Sequence, residues 1–199
     1  MQKVYIYYAE ISRLESLRTL YPKERMEEIN ECKSESVRLE KYCAWNLLKH
    51  AVVDAFSLVF DNLQFTKMQS GQWVCDQCNF SISHSDGVVA VVVSNFAIGI
   101  DIEPVKRLGE RLAGKVLTEL ELERYSELSD EVKAEFLLEC WCKKEAIFKS
   151  SGGSVLLPRT IECDNYHTAL ERVSIDGREY VIAIAASEEF EIKKLSNIN

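Results

Sequence analysis

Long apolar runs are missing from this chain of 199 residues: none approaches the roughly 20 residues a membrane-crossing helix needs. Met1 to Glu10 also lack the basic, apolar, small-residue order of a secretory leader, so a cytoplasmic location is expected. Positive charge is scarce, with 24 Lys and Arg against 32 Asp and Glu and a formal net charge of −8. That balance argues against nucleic-acid binding, which calls for a basic surface. An anionic substrate would need locally gathered lysines and arginines. The seven cysteines are odd in number and scattered, and do not form a disulfide framework. Cys75 and Cys78 make one C-x-x-C, either half of a zinc site or a redox pair. Tetrahedral zinc needs two more ligands and no second pair exists, so plain thiols are expected. No G-x-S-x-G elbow is found, and Ser83, His84 and Ser85 are neighbours on a strand whose side chains alternate, so a serine-hydrolase triad is not expected.

What remains is an ordinary soluble composition, 47% hydrophobic and 28% charged, in a length that suits one sizeable core or two small halves. Val4 to Ala9 reads as an opening strand. Between Lys23 and Phe60 there is neither Pro nor Gly, and Val37, Tyr42, Trp45, Leu48 and Val52 recur at helical spacing, so one long helix or two are expected. Phe80 to Ser83 reads as a short strand, Asp86-Gly87 as a hairpin turn, and Val88 to Val93 as a strand buried on both faces. Ala97 to Glu103 is the next strand, ended by Pro104, and Lys106 to Val116 a loop or short helix. Thr118 with Glu121 forms a capping box for a helix to about Leu128. Ser129 or Asp130 caps the following helix, which Gly152-Gly153 ends, and the chain is β-like from Pro158.

An Asp-Gly turn before an apolar strand occurs twice, at Asp86-Gly87 and Asp176-Gly177. The expected fold class is therefore α+β, with two similar halves, 1–95 and 96–199, related by pseudo-twofold symmetry. Each is expected to be a small antiparallel sheet packed with helices.

Chemistry gathers in two segments. Asp101 and Glu103 lie at i and i+2 on a strand, so both point the same way beside an apolar core. A pair of half-buried like charges is costly unless a cation neutralises it. Glu145 and Lys149, at i and i+4, share a helix face, and Lys143, Lys144 and Lys149 surround Glu145 with positive charge that a phosphate would explain. Taken singly these segments are also a solvated strand end and a helical ion pair; together they make a site for a hard divalent cation and a phosphate-bearing substrate.

Phe80-Ser81-Ile82-Ser83-His84-Ser85, Gly99-Ile100-Asp101-Ile102-Glu103 and Trp141-x-x-Lys144-Glu145-x-x-x-Lys149, in this order, resemble the three signature blocks of the 4'-phosphopantetheinyl transferases. The length and the two halves resemble the Sfp-type, pseudo-dimeric monomer. The resemblance implies transfer of the phosphopantetheine arm of coenzyme A to a serine of an apo carrier protein, releasing 3',5'-ADP. It implies Asp101, Glu103 and Glu145 as magnesium ligands, Glu145 also as the base, and Lys149 as the group stabilising the leaving phosphate. His84 and Ser83 would contact the phosphates of coenzyme A, Arg38 its 3'-phosphate, and either Lys23 or Arg25 the nucleotide. The chain departs from the family's pattern at Gln72, where a lysine is usual, and at Cys142, where serine or threonine is usual. Segment 105–116, mixing Val105, Leu108, Leu112 and Val116 with Lys106, Arg107, Arg111 and Lys115, is a candidate docking surface for an acidic carrier. Other readings of the same residues are magnesium-dependent phosphoester hydrolysis and non-catalytic coenzyme A binding.

Overall fold

The computed structural model describes residues 1–14, 21–106 and 108–198, and of Glu110 the backbone only. Strand β1 spans Gln2–Glu10, followed by helices α1 (Ile11–Leu14), α2 (Lys23–Asn30) and α3 (Glu35–Phe56). A small ribbon, β2 (Phe65–Lys67) and β3 (Trp73–Cys75), precedes the hairpin of β4 (Asn79–Ser85) and β5 (Val88–Ser94). Then come β6 (Gly99–Pro104), α4 (Ala113–Val116), α5 (Glu119–Glu127), α6 (Asp130–Ser151), β7 (His167–Ile175), β8 (Arg178–Ala186) and β9 (Phe190–Asn197). This is the expected α+β class of small sheets packed with helices. Among the described residues no helix is long and apolar enough to cross a membrane.

The same three-strand order is built twice, β4-β5-β1 in one sheet and β7-β8-β6 in the other. Both hairpins turn on an Asp-Gly pair with positive φ at both residues, Asp86 and Gly87 in one, Asp176 and Gly177 in the other. That is the mirror-image turn whose twist matches the flanking strands. The tips meet: Arg178 pairs with the Asp86 carboxylate at 3.3 Å, and the Tyr180 hydroxyl donates to the Asp86 carbonyl at 3.2 Å.

Period-two alternation sets the layers. On β5, Val89, Val91 and Val93 pack under α3, whereas Val88, Ala90 and Val92 face the second sheet. On β8, Val181, Ala183 and Ala185 pack under α6, whereas Ile182, Ile184 and Ala186 face the first sheet. The result is helix, sheet, sheet, helix, and each valine so buried contributes about 1.5–3 kcal/mol. The strand expected to be buried on both faces is so along its whole length.

Of the two forms expected for the helical region the chain takes the pair of helices, because Ser34 caps α3, its hydroxyl accepting from the Val37 amide at 3.5 Å. Two details depart from expectation. Val37 itself, counted among the apolar stripe, is exposed there in the first turn. The sheets are not purely antiparallel: β9 lies parallel to β1 as the fourth strand of the first sheet, crossing the expected division at residue 95. The capping box of α5 forms as expected, with the Glu121 amide donating to Thr118 Oγ1 at 3.4 Å and the Thr118 amide to Glu121 Oε2 at 2.8 Å.

Candidate active site

Gly99 determines how closely the second half's long helix meets its leading strand. A Cβ at Gly99 would lie 1.9 Å from the Ala146 carbonyl oxygen, so only glycine lets α6 rest against β6. The odd residues of β6, Asp101 and Glu103, then face α6, while Ile100 and Ile102 enter the core between the sheets. From α6 the residues Cys142, Glu145 and Lys149 come to the acids, one helical stripe.

Lys149 Nζ donates to Asp101 Oδ1 at 2.8 Å and to Ser83 Oγ at 3.0 Å. Ser83 Oγ also donates to Asp101 Oδ1 at 2.8 Å. Burial first, then the charges of Asp101 and Glu103, push the Glu145 carboxyl above its ordinary range, with Lys149 opposing. The Cys142 thiol, fully buried, is pushed up by burial and by the same two carboxylates. It is a neutral neighbour of the acid pair.

Serines fix the acids from the other side. Strand β4 crosses the free edge of β6, and its alternate hydroxyls form a ladder. Ser81 Oγ accepts from the Ile100 amide at 3.2 Å, Ser83 donates to Asp101, and Ser85 donates to Glu103 Oε2 at 2.9 Å. Sequence reasoning singled out Ser83 alone; the period-two spacing Ser81-x-Ser83-x-Ser85 carried the signal for the other two.

His84 points oppositely, its Nδ1 lying 3.4 Å from Glu40 Oε2, into a cleft of about 400 Å³. Arg25, Lys41, Trp45, His84, Phe148 and Lys149 line it. The site thus joins an acid strand to a cation-lined cleft, with Lys149 shared by both. Gln72 also lines the cleft, its Nε2 donating to the Lys149 carbonyl at 3.3 Å.

Not every expected residue gathers here. Arg38 is exposed, its guanidinium donating to the Cys32 carbonyl at 3.0 Å, and does not line the cleft; Lys41, one turn on, does and was missed. Between Lys23 and Arg25 the geometry favours Arg25, since Lys23 is exposed beside Glu27 at 3.7 Å. Lys144 does not add positive charge around Glu145. Adjacent residues on a helix face apart, and its fully buried ammonium donates to Glu121 Oε2 at 2.6 Å, Val116 O at 2.9 Å and Pro158 O at 3.0 Å. It ties α6 to α5 and to the loop beyond.

In segment 105–116, Val105, Lys106, Arg111 and Lys115 are exposed, Leu108 and Leu112 are half-buried, and Val116 is in the core; Arg107 lies outside the described residues. Cys75 and Cys78 are free thiols in contact, and burial with the neighbouring Cys75 pushes the Cys78 thiol up to about 12.

Among the described residues no three His, Cys, Asp or Glu groups are gathered closely enough to hold a metal ion. The expected ligands nevertheless suit magnesium chemically. All three offer carboxylate oxygens, and Asp101 Oδ2 is buried without a hydrogen-bond partner.

Acids and a shared lysine at the mouth of a cationic cleft have the chemistry of a phosphate-handling site. Residues 97–193 match the profile of the 4'-phosphopantetheinyl transferase superfamily. The holo-[acyl-carrier-protein] synthase of Bacillus subtilis is 38% identical over 102 residues, which cover 47% of this chain and 78% of that protein. The 4'-phosphopantetheinyl transferase gsp of Aneurinibacillus migulanus is 26% identical over 113 residues, 56% of this chain and 48% of that one. The holo-[acyl-carrier-protein] synthase of Streptococcus sanguinis is 44% identical over 63 residues, 29% of this chain and 52% of that one. The chain thus spans about half the length of the last two. On these matches it belongs to the 4'-phosphopantetheinyl transferase superfamily.

Proposed function

We propose that this protein moves the phosphopantetheine arm of coenzyme A to a serine hydroxyl of an apo carrier protein, releasing 3',5'-ADP. The observation that carries the reading is Lys149, which lines the cleft and at the same time holds Asp101. One side chain thereby links a phosphate-sized cationic pocket to an acid cluster.

In this reading the carrier serine oxygen forms a bond to the phosphorus next to the pantetheine arm, and the bond from that phosphorus to the departing 3',5'-ADP breaks. The serine proton passes to Glu145, whose affinity for protons is raised, first by burial, as a general base requires. Lys149 receives the charge that develops on the departing phosphate. Asp101, Glu103 and Glu145 would hold magnesium, which when bound neutralises pyrophosphate charge and orients the reacting groups. Ser83 and Ser85 keep the two strand carboxylates aimed at that position. His84 reaches the coenzyme's phosphates from the cleft wall, and Arg25 and Lys41 take the place expected for Arg38. Segment 105–116, with Lys106 beside Glu103 and with Arg111 and Lys115 exposed, would dock an acidic carrier. With both halves in one chain the working form is a monomer, and seven unpaired thiols suit the reducing cytoplasm.

The test is the mass of an apo carrier incubated with the protein, coenzyme A and magnesium. A gain of one phosphopantetheine, lost on chelation with EDTA, is expected. Release of 3',5'-ADP without any carrier, and no mass gain with one, would assign the site to hydrolysis instead.

A further inference from the structure

Four elements converge on one carboxylate that is not part of the acid cluster. Glu28, on α2, accepts from Lys41 Nζ of α3 at 3.0 Å on Oε1. On Oε2 it meets Arg25 Nη1 at 3.0 Å, the Trp73 indole of β3 at 3.2 Å and Lys67 of β2 at 3.3 Å. Three cations and one indole N–H thus surround a single carboxylate. Arg25, Lys41 and Trp73 all line the cleft, whereas Glu28 does not.

Arg25 needs such a partner. Its residue is 7% exposed, its guanidinium lies over the Trp45 ring at 5.3 Å, and its Nε is buried with no hydrogen-bond partner. A buried cation without a counter-charge is costly, and two cations side by side repel one another into solvent. Lys41 in particular is a flexible side chain that would leave the wall if nothing held it. Glu28 remains a carboxylate throughout: burial opposes its charge, but Lys41, Arg25 and Trp73 together bring its ionisation down to about 2.

We infer that Glu28 is a positioning residue that sets Arg25 and Lys41 along the cleft wall before an anionic ligand arrives. This rests on the reading of the cleft as the coenzyme A site. One carboxylate against three cations leaves the wall positive, so the phosphates of coenzyme A meet donors already in place and the ordering of two long side chains does not have to accompany binding.

The experiment measures coenzyme A binding by calorimetry, and KM and kcat for carrier modification, in the wild type, Glu28→Gln, Glu28→Ala and Glu28→Asp. Glu28→Gln keeps the shape and removes the charge. A rise of about tenfold in Kd and KM with kcat within about twofold is expected for Gln and Ala, with Glu28→Asp recovering most of the loss. Unchanged or tighter binding by Glu28→Gln would overturn the inference, since Glu28 would then be only a competing anion. An equal fall in kcat would overturn it too, as the sign of a general structural role. A wild type that modifies carriers and binds coenzyme A while Glu28→Gln does so equally well sinks this inference alone. A wild type that binds no coenzyme A sinks the reading of the cleft and this inference with it.

Discussion

The two halves carry the same scaffold and opposite chemistry. Register places Asp101 opposite Ala183 and Glu103 opposite Val181 in one half, and Tyr5 opposite Val93 and Tyr7 opposite Val91 in the other. Both long helices have 22 residues, and counted from their starts Glu145 and Lys149 of α6 correspond to His50 and Asp54 of α3. Three of these four counterparts also meet: the Tyr7 hydroxyl donates to Asp54 Oδ2 at 2.5 Å and the Tyr7 and His50 rings lie 5.6 Å apart, while Lys194 of β9 reaches Asp54 at 2.6 Å. In the first half Asp54 is answered by both Tyr7 and Lys194, and β9 closes the sheet edge with backbone pairing. In the second the edge of β6 is met by serine side chains, Asp101 Oδ2 is unanswered, and burial raises the proton affinity of the Glu145 carboxylate. One scaffold thus yields a fully paired cluster in one half and an acid cluster with an unpartnered oxygen in the other. The difference is a handful of side chains and what covers the leading strand.

Matched substitutions can break this comparison. The largest effect is expected for Lys144→Met, which strands the buried Glu121 carboxylate and should cost about 3–5 kcal/mol in urea unfolding. The lysine at the corresponding place in α3, Lys49, is paired with Asp61 at 3.4 Å near the surface, so Lys49→Met should cost about 0–1 kcal/mol. Next, Asp101→Asn should reduce carrier modification by about 10²–10³-fold, whereas Tyr5→Phe should leave it within about twofold, both read as initial rates. Gly99→Ala, by forcing α6 off β6, should lower stability by about 1–3 kcal/mol and reduce activity with it, visible together in the melting curve and the rate.

Smaller effects sharpen the comparison. Ser85→Ala frees Glu103 from its donor and should weaken magnesium affinity by about tenfold, followed as the magnesium dependence of the melting temperature. In the first half, Glu28 is ionised in the folded chain down to about 2 but near 4.5 when unfolded. The unfolded chain therefore takes up the proton first, so the stability Glu28 contributes is present above about pH 4.5 and is lost as pH falls toward 2. Glu28→Gln should flatten that part of the urea-midpoint profile, and an unaltered slope would remove the network from the account.

Much of this was legible in the residue order because its causes are local. The apolar run of β5, the Asp-Gly turns, the Thr118 capping box and the glycine stop after α6 are set by neighbours within a few residues. The acids and Lys149 followed from alternation on a strand and the helical repeat. What was not legible depends on partners far along the chain. Nothing near Phe190–Asn197 says that this strand will lie parallel to β1. Lys144 has the look of a solvent-facing lysine until Glu121 and two carbonyls surround it. Arg25 and Glu28 stand at i and i+3 on α2, but Lys41 comes from α3 and Trp73 from β3, so no spacing rule brings the four together. Arg38 followed from the place where the resemblance puts a basic residue, and only the fold shows its guanidinium turned to the Cys32 carbonyl.

In the proposed function the acid cluster of the second half carries the reaction while its counterpart around Tyr7, His50 and Asp54 holds the fold, and matched substitutions on the two long helices separate these roles. The phosphopantetheine mass gain on an apo carrier is measured for Glu145→Gln and for His50→Gln. The account predicts that Glu145→Gln leaves the carrier unmodified while His50→Gln modifies it at nearly the wild-type rate. Wild-type transfer by Glu145→Gln, or loss of transfer by a folded His50→Gln, would contradict it.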